Sequence, residues 1–113
     1  MANYKLTQAA KADLRQIYFY GFEAWGEAAA DQYYNQLFDR FEQIAAQPYL
    51  YPEVNFIRTG YRRSVCGVHS IYYRIENDVV EIMAILRSQD TDTALDLWDS
   101  NALRVRRIPP TIV

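Results

Sequence analysis

Five arginines between residues 58 and 87 are the side chains best suited to hold an anion: Arg58, Arg62, Arg63, Arg74 and Arg87. An arginine presents a planar fork that matches a carboxylate or a phosphate. The plainer reading is five solvated strand residues that keep a sheet edge from aggregating. His69 is the single histidine and Cys66 the single cysteine. A lone histidine can serve as a general base near neutral pH. The sequence offers it no obvious nucleophile or orienting carboxylate, and a structural histidine bonded to backbone fits as well. With one of each, the chain has no His–His metal pair, no HExxH site, no paired-cysteine zinc site and no internal disulfide. No metal and no cofactor is expected, and Cys66 reads as a small buried hydrophobe.

Arg62 and Arg63 are adjacent, so on a strand they point to opposite faces. At most one of them joins any one site. Arg74 shares parity with Tyr72, while Tyr73 shares parity with Ile71 and Ile75 and reads as core. Arg87 closes the last apolar run, where a side chain can reach over the rim of a sheet.

The elements that position these residues follow from periodicity. Tyr4-Lys5-Leu6 reads as a short strand, and Thr7 can cap the helix after it. Ala10, Leu14, Ile17, Tyr18, Gly21 and Trp25 recur at helical spacing, predicting an amphipathic helix over 8–25 that stops at Gly26. Phe19, Tyr20 and Phe22 lie off that stripe. They are either covered by a second element or held out for a partner. Ala30, Tyr33, Tyr34, Leu37, Phe41 and Ile44, with Phe38 at the edge, predict a second helix over 28–47 that ends at Pro48. So short a link makes the pair a helical hairpin. Tyr49-Leu50-Tyr51-Pro52 reads as a loop packed against it.

From Phe56 the period changes to two. Residues 56–58 read as a short strand or extended loop, and 61–66, 68–75 and 79–87 as three strands. Gly67 and Asn77-Asp78 supply the turns of an antiparallel meander. In the last strand Val80, Ile82, Ala84 and Leu86 face one way and Val79, Met83 and Ile85 the other. Both faces are apolar, so it sits inside the sheet. Asp90–Asp99 reads as a short helix, and 100–113 as a basic, proline-containing tail. The expected fold is α+β: a first strand, a helical hairpin, then a three-stranded antiparallel meander in one small sheet, with a short C-terminal helix. Residues 1–90 form the domain and 91–113 a C-terminal extension.

The chain has 113 residues, half of them hydrophobic, which is one domain with a real core. Residues 1–57 carry four cations against seven acids, a balance of −3, whereas 58–87 carry five against three, a balance of +2. The overall charge of −2 argues against a protein that coats nucleic acid. The N-terminus shows no basic-then-apolar signal pattern and no run approaches a membrane span. A soluble, reducing, cytoplasmic setting is expected, with no membrane partner.

In this order the residues resemble the ParE branch of the ParE/RelE toxin superfamily. The resemblance runs through Tyr4-Lys5-Leu6, Ala10-Lys11-Ala12-Asp13-Leu14 with Ile17, Trp25-Gly26 and Gly60-Tyr61-Arg62. It continues through Gly67-Val68-His69-Ser70-Ile71-Tyr72-Tyr73-Arg74, Val80-Glu81-Ile82 and Ile85-Leu86. It implies the toxin of a bacterial type II toxin–antitoxin pair. Such a toxin inhibits DNA gyrase, blocks replication, arrests growth and stabilises plasmids, and a ParD-like antitoxin neutralises it in a hetero-oligomer. It implies no catalytic residue and no direct sequence-specific DNA binding. The sister branch resembles ribosome-dependent mRNA endoribonucleases, which need cations and an acid–base group. That branch usually has arginine where this chain has Ser70, and a tyrosine or a histidine-tyrosine pair after the last strand where this chain has Arg87-Ser88-Gln89-Asp90. The ribonuclease set is incomplete. ParE members often carry histidine after Leu86, where Arg87 keeps a cation.

Arg62, Arg74 and Arg87 are the expected target-binding residues. The resemblance implies an antitoxin that lays an amphipathic helix and an extended arm over the toxin. Phe19, Tyr20, Phe22 and Phe38 are its expected aromatic anchors, and the arginines could serve this acidic partner instead. Three readings compete: a gyrase-binding toxin, a ribonuclease, and a non-toxic toxin-fold partner or co-repressor of its antitoxin.

Overall fold

The computed structural model describes residues 3–87. The expected 90–99 helix and the 100–113 tail lie outside the described residues. Within them the order is β1 (Tyr4–Leu6), α1 (Gln8–Trp25), α2 (Glu27–Ala46), β2 (Arg62–Cys66), β3 (His69–Glu76) and β4 (Val79–Arg87). The expected α+β layout holds, and the boundaries shift by at most one residue. The 56–58 segment is a turn rather than a strand. A single bridge, Glu53 to Arg62, stands in its place.

Thr7 anchors the start of α1 twice. Its Oγ1 accepts the Ala10 N–H at 3.1 Å and donates to the Met83 carbonyl at 3.1 Å. A cap of this kind is worth about 1 kcal/mol, and here it also pins the helix to β4. Gly26, at φ 96°, closes α1 and opens α2, so one residue reverses the chain. Asn77 and Asp78 both have positive φ, 52° and 64°, which the tight β3–β4 hairpin demands.

The sheet order is β1-β4-β3-β2, with β1 parallel to β4 and the rest antiparallel. β4 is internal, as its two apolar faces predict. The simple alternation along β4 fails at one place. Tyr72 pairs with Ala84 but Tyr73 pairs with Ile82, so Met83 is an extra residue, a β-bulge. Beyond it the facing flips. Val80, Ile82 and Ile85 join the helix-side core with Leu14, Leu37, Phe41, Ile71 and Tyr73. Met83, Ala84 and Leu86 join Tyr72 on the other face. That second face is roofed by the 47–61 connection, through Val54, Ile57 and Tyr61. The sequence pattern did not reveal this roof. Tyr51 packs on Tyr73, while Tyr49 and Leu50 are exposed rather than packed on the hairpin.

Candidate functional site

The bulge decides what the end of β4 can do. It turns Ile85, and with it Arg87, toward the helices. There α1, α2 and the β2–β3 turn enclose an open, mainly apolar groove of about 790 Å³. Ile17, Tyr20, Gly21 and Trp25 come from α1, Ala29, Ala30 and Tyr33 from α2, and Val68, His69, Ile85 and Arg87 from the sheet. Small residues make the room. A Cβ on Gly21 would meet the Ala30 Cβ at 3.6 Å, so the helices run close there, and Gly21, Ala29 and Ala30 add little bulk to the lining.

One wall is built around the Tyr33 hydroxyl. It lies 3.1 Å from the Cys66 carbonyl, 2.7 Å from His69 Nδ1 and 3.2 Å from the Val68 nitrogen. A phenol has one proton to donate and two lone pairs. All three contacts are satisfied when Tyr33 donates to Cys66 and accepts from Val68 N–H and from His69 Nδ1–H. At Nδ1, His69 is therefore held by a side chain, a partner the sequence did not point to. Burial raises the Tyr33 phenol above its ordinary 10.0, while the Val68 N–H and the Arg87 charge pull it down. Gly67, at φ 61°, brings the turn so close that a Cβ would sit 2.6 Å from the Tyr33 ring. The opposite wall holds Asp13, whose Oδ2 accepts the Ile85 N–H at 3.0 Å and ties α1 to β4 beyond the end of β1.

The three arginines expected to face a target do not converge. Arg62 and Arg87 lie near opposite ends of the sheet, since their register partners on β3 are Tyr73 and His69. Those partners are four residue steps apart along the strand, about 13 Å. Arg62 is engaged: Nη1 donates to the Tyr51 carbonyl at 2.6 Å, Nη2 meets Glu53 at 3.1 Å, and the guanidinium lies over the Tyr49 ring. Arg74 is on the far face, with Nε 2.6 Å from Glu81. Of the three, only Arg87 lines the groove.

The aromatics divide as well. Tyr20 lines the groove and is 62% exposed. Phe19, at 67%, and Phe22 are exposed on the other flank of α1, with Phe22 beside Tyr18. Phe38 is half-buried between Tyr34 and Phe41 and belongs to the edge of the core. Trp25, placed by periodicity on the buried stripe, is 74% exposed. It falls on the last turn of α1, beyond the reach of the sheet. The sequence pattern did not mark Tyr33 and Asp13 as site residues. Gly67 two positions before His69 was the signal for Tyr33, because a turn glycine permits the close approach. Ser70 is buried, 2% exposed, so the position where the ribonuclease branch carries arginine points inward. Among the described residues no group of histidine, cysteine and carboxylates could hold a metal ion. No helix among them is long and apolar enough to cross a membrane.

Residues 4–91 match the family model described as ParE toxin of type II toxin–antitoxin system, parDE. Toxin ParE1 of Caulobacter vibrioides is 37% identical over 86 residues, 76% of this chain and 88% of that protein. Toxin ParE1 of Mycobacterium tuberculosis is 30% identical over 96 residues, 83% of this chain and 98% of that protein. A solved structure titled as a chromosomal ParDE system from P. aeruginosa superposes with a TM-score of 0.66. Its identity is 22%, and it covers 77% of this chain and 96% of that one, a likeness of fold.

Proposed function

This chain belongs to the ParE toxin family of type II toxin–antitoxin systems, and from that premise we propose that it acts by binding DNA gyrase and blocking replication. A ParD-like antitoxin holds it in check in the cytoplasm. The observation that carries the reading is the apolar groove that ends at Arg87.

The groove suits the apolar face of an antitoxin helix. Its lining includes the small residues Gly21, Ala29 and Ala30, the exposed rings of Tyr20 and Trp25, and the polar groups of Arg87 and His69. An apolar helix face with an acidic residue toward Arg87 complements it in shape and charge. Of the three arginines expected to meet the target, Arg87 is the one on this open surface. A bound antitoxin would cover it, so neutralisation needs no second mechanism. Phe19 and Phe22 would be reached by an antitoxin arm that crosses over α1.

Binding rather than chemistry is supported by the contents of the site. The ribonuclease reading needs several cations around a reacting phosphate. Here Ser70 is buried and Arg62 and Arg74 are held elsewhere. The test is a gyrase supercoiling and cleavage assay with the purified chain. Cleaved DNA that accumulates with toxin and clears with antitoxin supports the proposal. Codon-phased mRNA cuts in a translating extract, with gyrase unaffected, would sink it. Normal growth on overexpression without antitoxin would favour a non-toxic partner.

A further inference from the structure

A second concave surface lies on the far face of the sheet, away from the groove. It is a polar pocket of about 460 Å³ lined by Asn55, Ile57, Arg58, Thr59, Tyr61 and Arg74. Its walls are built by hydrogen bonds within the 53–61 loop. The Val54 N–H reaches the Tyr61 carbonyl at 2.8 Å, and the Tyr61 N–H reaches the Arg58 carbonyl at 3.1 Å. The Gly60 N–H donates to Asn55 Oδ1 at 2.7 Å, with Gly60 at φ 85°. Ile57 and Tyr61 are rooted in the apolar cluster under the loop, so the pocket has a fixed floor.

Two guanidinium-bearing residues, Arg58 and Arg74, line this pocket. Arg74 donates through its Nε–H to Glu81 at 2.6 Å, and Glu76 lies 4.0 Å from the same nitrogen. The Glu81 carboxylate is shared with Lys5 at 3.1 Å, so with Arg58 at the pocket wall three cations stand against two acids, Glu76 and Glu81. Burial raises the Tyr61 phenol above its ordinary 10.0; the charges of Arg58 and Arg74 pull it down, and that of Glu81 adds to the rise. Both cations therefore act on the same hydroxyl at the pocket wall.

We propose that this pocket binds a phosphoryl oxyanion, with Arg58 and Arg74 meeting its charge and the Tyr61 and Thr59 hydroxyls its remaining oxygens. Guanidinium–phosphate contacts are short, charge-assisted and geometrically selective. The ligand is either free phosphate or one phosphodiester of a DNA backbone, and neither needs a base contact. The site stands apart from the groove and does not rest on the toxin reading. Both surfaces can be filled at once.

Nuclear magnetic resonance on the full chain tests it. Inorganic phosphate is titrated against sodium chloride at matched ionic strength, following the Gly60 amide and the arginine Nε–H signals. Saturable shifts at Gly60 and Arg74 are expected, with a dissociation constant on the order of 1 mM. Arg58→Gln weakens binding about fivefold or more. Thr59→Glu sets a carboxylate at an exposed loop tip, leaves the fold intact and abolishes binding. A short DNA duplex that moves the same signals and is displaced by phosphate identifies the phosphodiester as ligand. A silent duplex beside saturating phosphate identifies the free ion. Shifts matched by chloride alone, or phosphate affinity unaltered in either variant, overturn the proposal.

Discussion

Gly67→Ala is the sharpest test of how the groove wall is built. Gly67 sits at φ 61°, where an L-residue costs about 1–2 kcal/mol. A Cβ there would also lie 2.6 Å from both Cε1 and the hydroxyl of Tyr33 and 3.0 Å from Cζ. No real Cβ tolerates that approach, so the ring must leave. Leaving breaks the contacts to Cys66, Val68 and His69. At a net of about 1 kcal/mol per hydrogen bond, that adds about 2–3 kcal/mol. Gly60→Ala is the internal control. Gly60 has φ 85°, and a Cβ on it would have nothing within 4 Å, so only the backbone cost applies, about 1–2 kcal/mol. Urea unfolding followed by far-ultraviolet circular dichroism separates the two variants. With a slope near 1–1.5 kcal/mol/M, the Gly67 midpoint should fall about 2 M further than the Gly60 midpoint. Equal midpoints would mean that Tyr33 moves aside freely and that its three contacts hold nothing.

Two further outcomes are expected. Glu81 is buried, which alone would raise its carboxyl, but hydrogen bonds and charge from Arg74 and Lys5 outweigh this and leave it below its ordinary 4.5. The unfolded chain then takes the proton first. The stabilisation from Glu81 is whole above about pH 4.5 and is lost as pH falls through the lower folded value. Urea midpoints should therefore drop on acidification, and Glu81→Gln should flatten that limb of the curve; parallel curves would mean that Glu81 does not drive the loss. Tyr20→Ala should weaken binding of the proposed ParD-like antitoxin about tenfold by calorimetry, in the range of an interface aromatic. Phe19→Ala on the opposite flank should also weaken it if an arm crosses α1. Unchanged affinity in Tyr20→Ala would move the antitoxin off the groove.

Periodicity carried the helices and strands because each has one apolar face against one core. It failed at Met83, where a single inserted residue reverses the facing of everything after it, and nothing in a run of apolar residues marks the insertion. For the same reason Ile85 shares a face with Val80 and Ile82 rather than with Met83, and the turn of Arg87 toward the helices was not legible. Trp25 shows the limit of a helical stripe, which gives direction around the axis but not how far the neighbouring layer extends. The arginines were legible as a group of cations. Their separation was not, because partners such as Glu53 and Glu81 are set by sheet register and by the course of the 47–61 loop.

Action on gyrase through the groove surface that includes Arg87 is tested most directly by gyrase-mediated DNA cleavage, with the purified full chain and with Arg87→Ala. Cleaved DNA should rise with the parent chain. The variant should unfold at the same urea concentration but need roughly tenfold more protein, about 1.4 kcal/mol. Normal supercoiling by gyrase in an excess of the parent chain would contradict a gyrase-directed toxin.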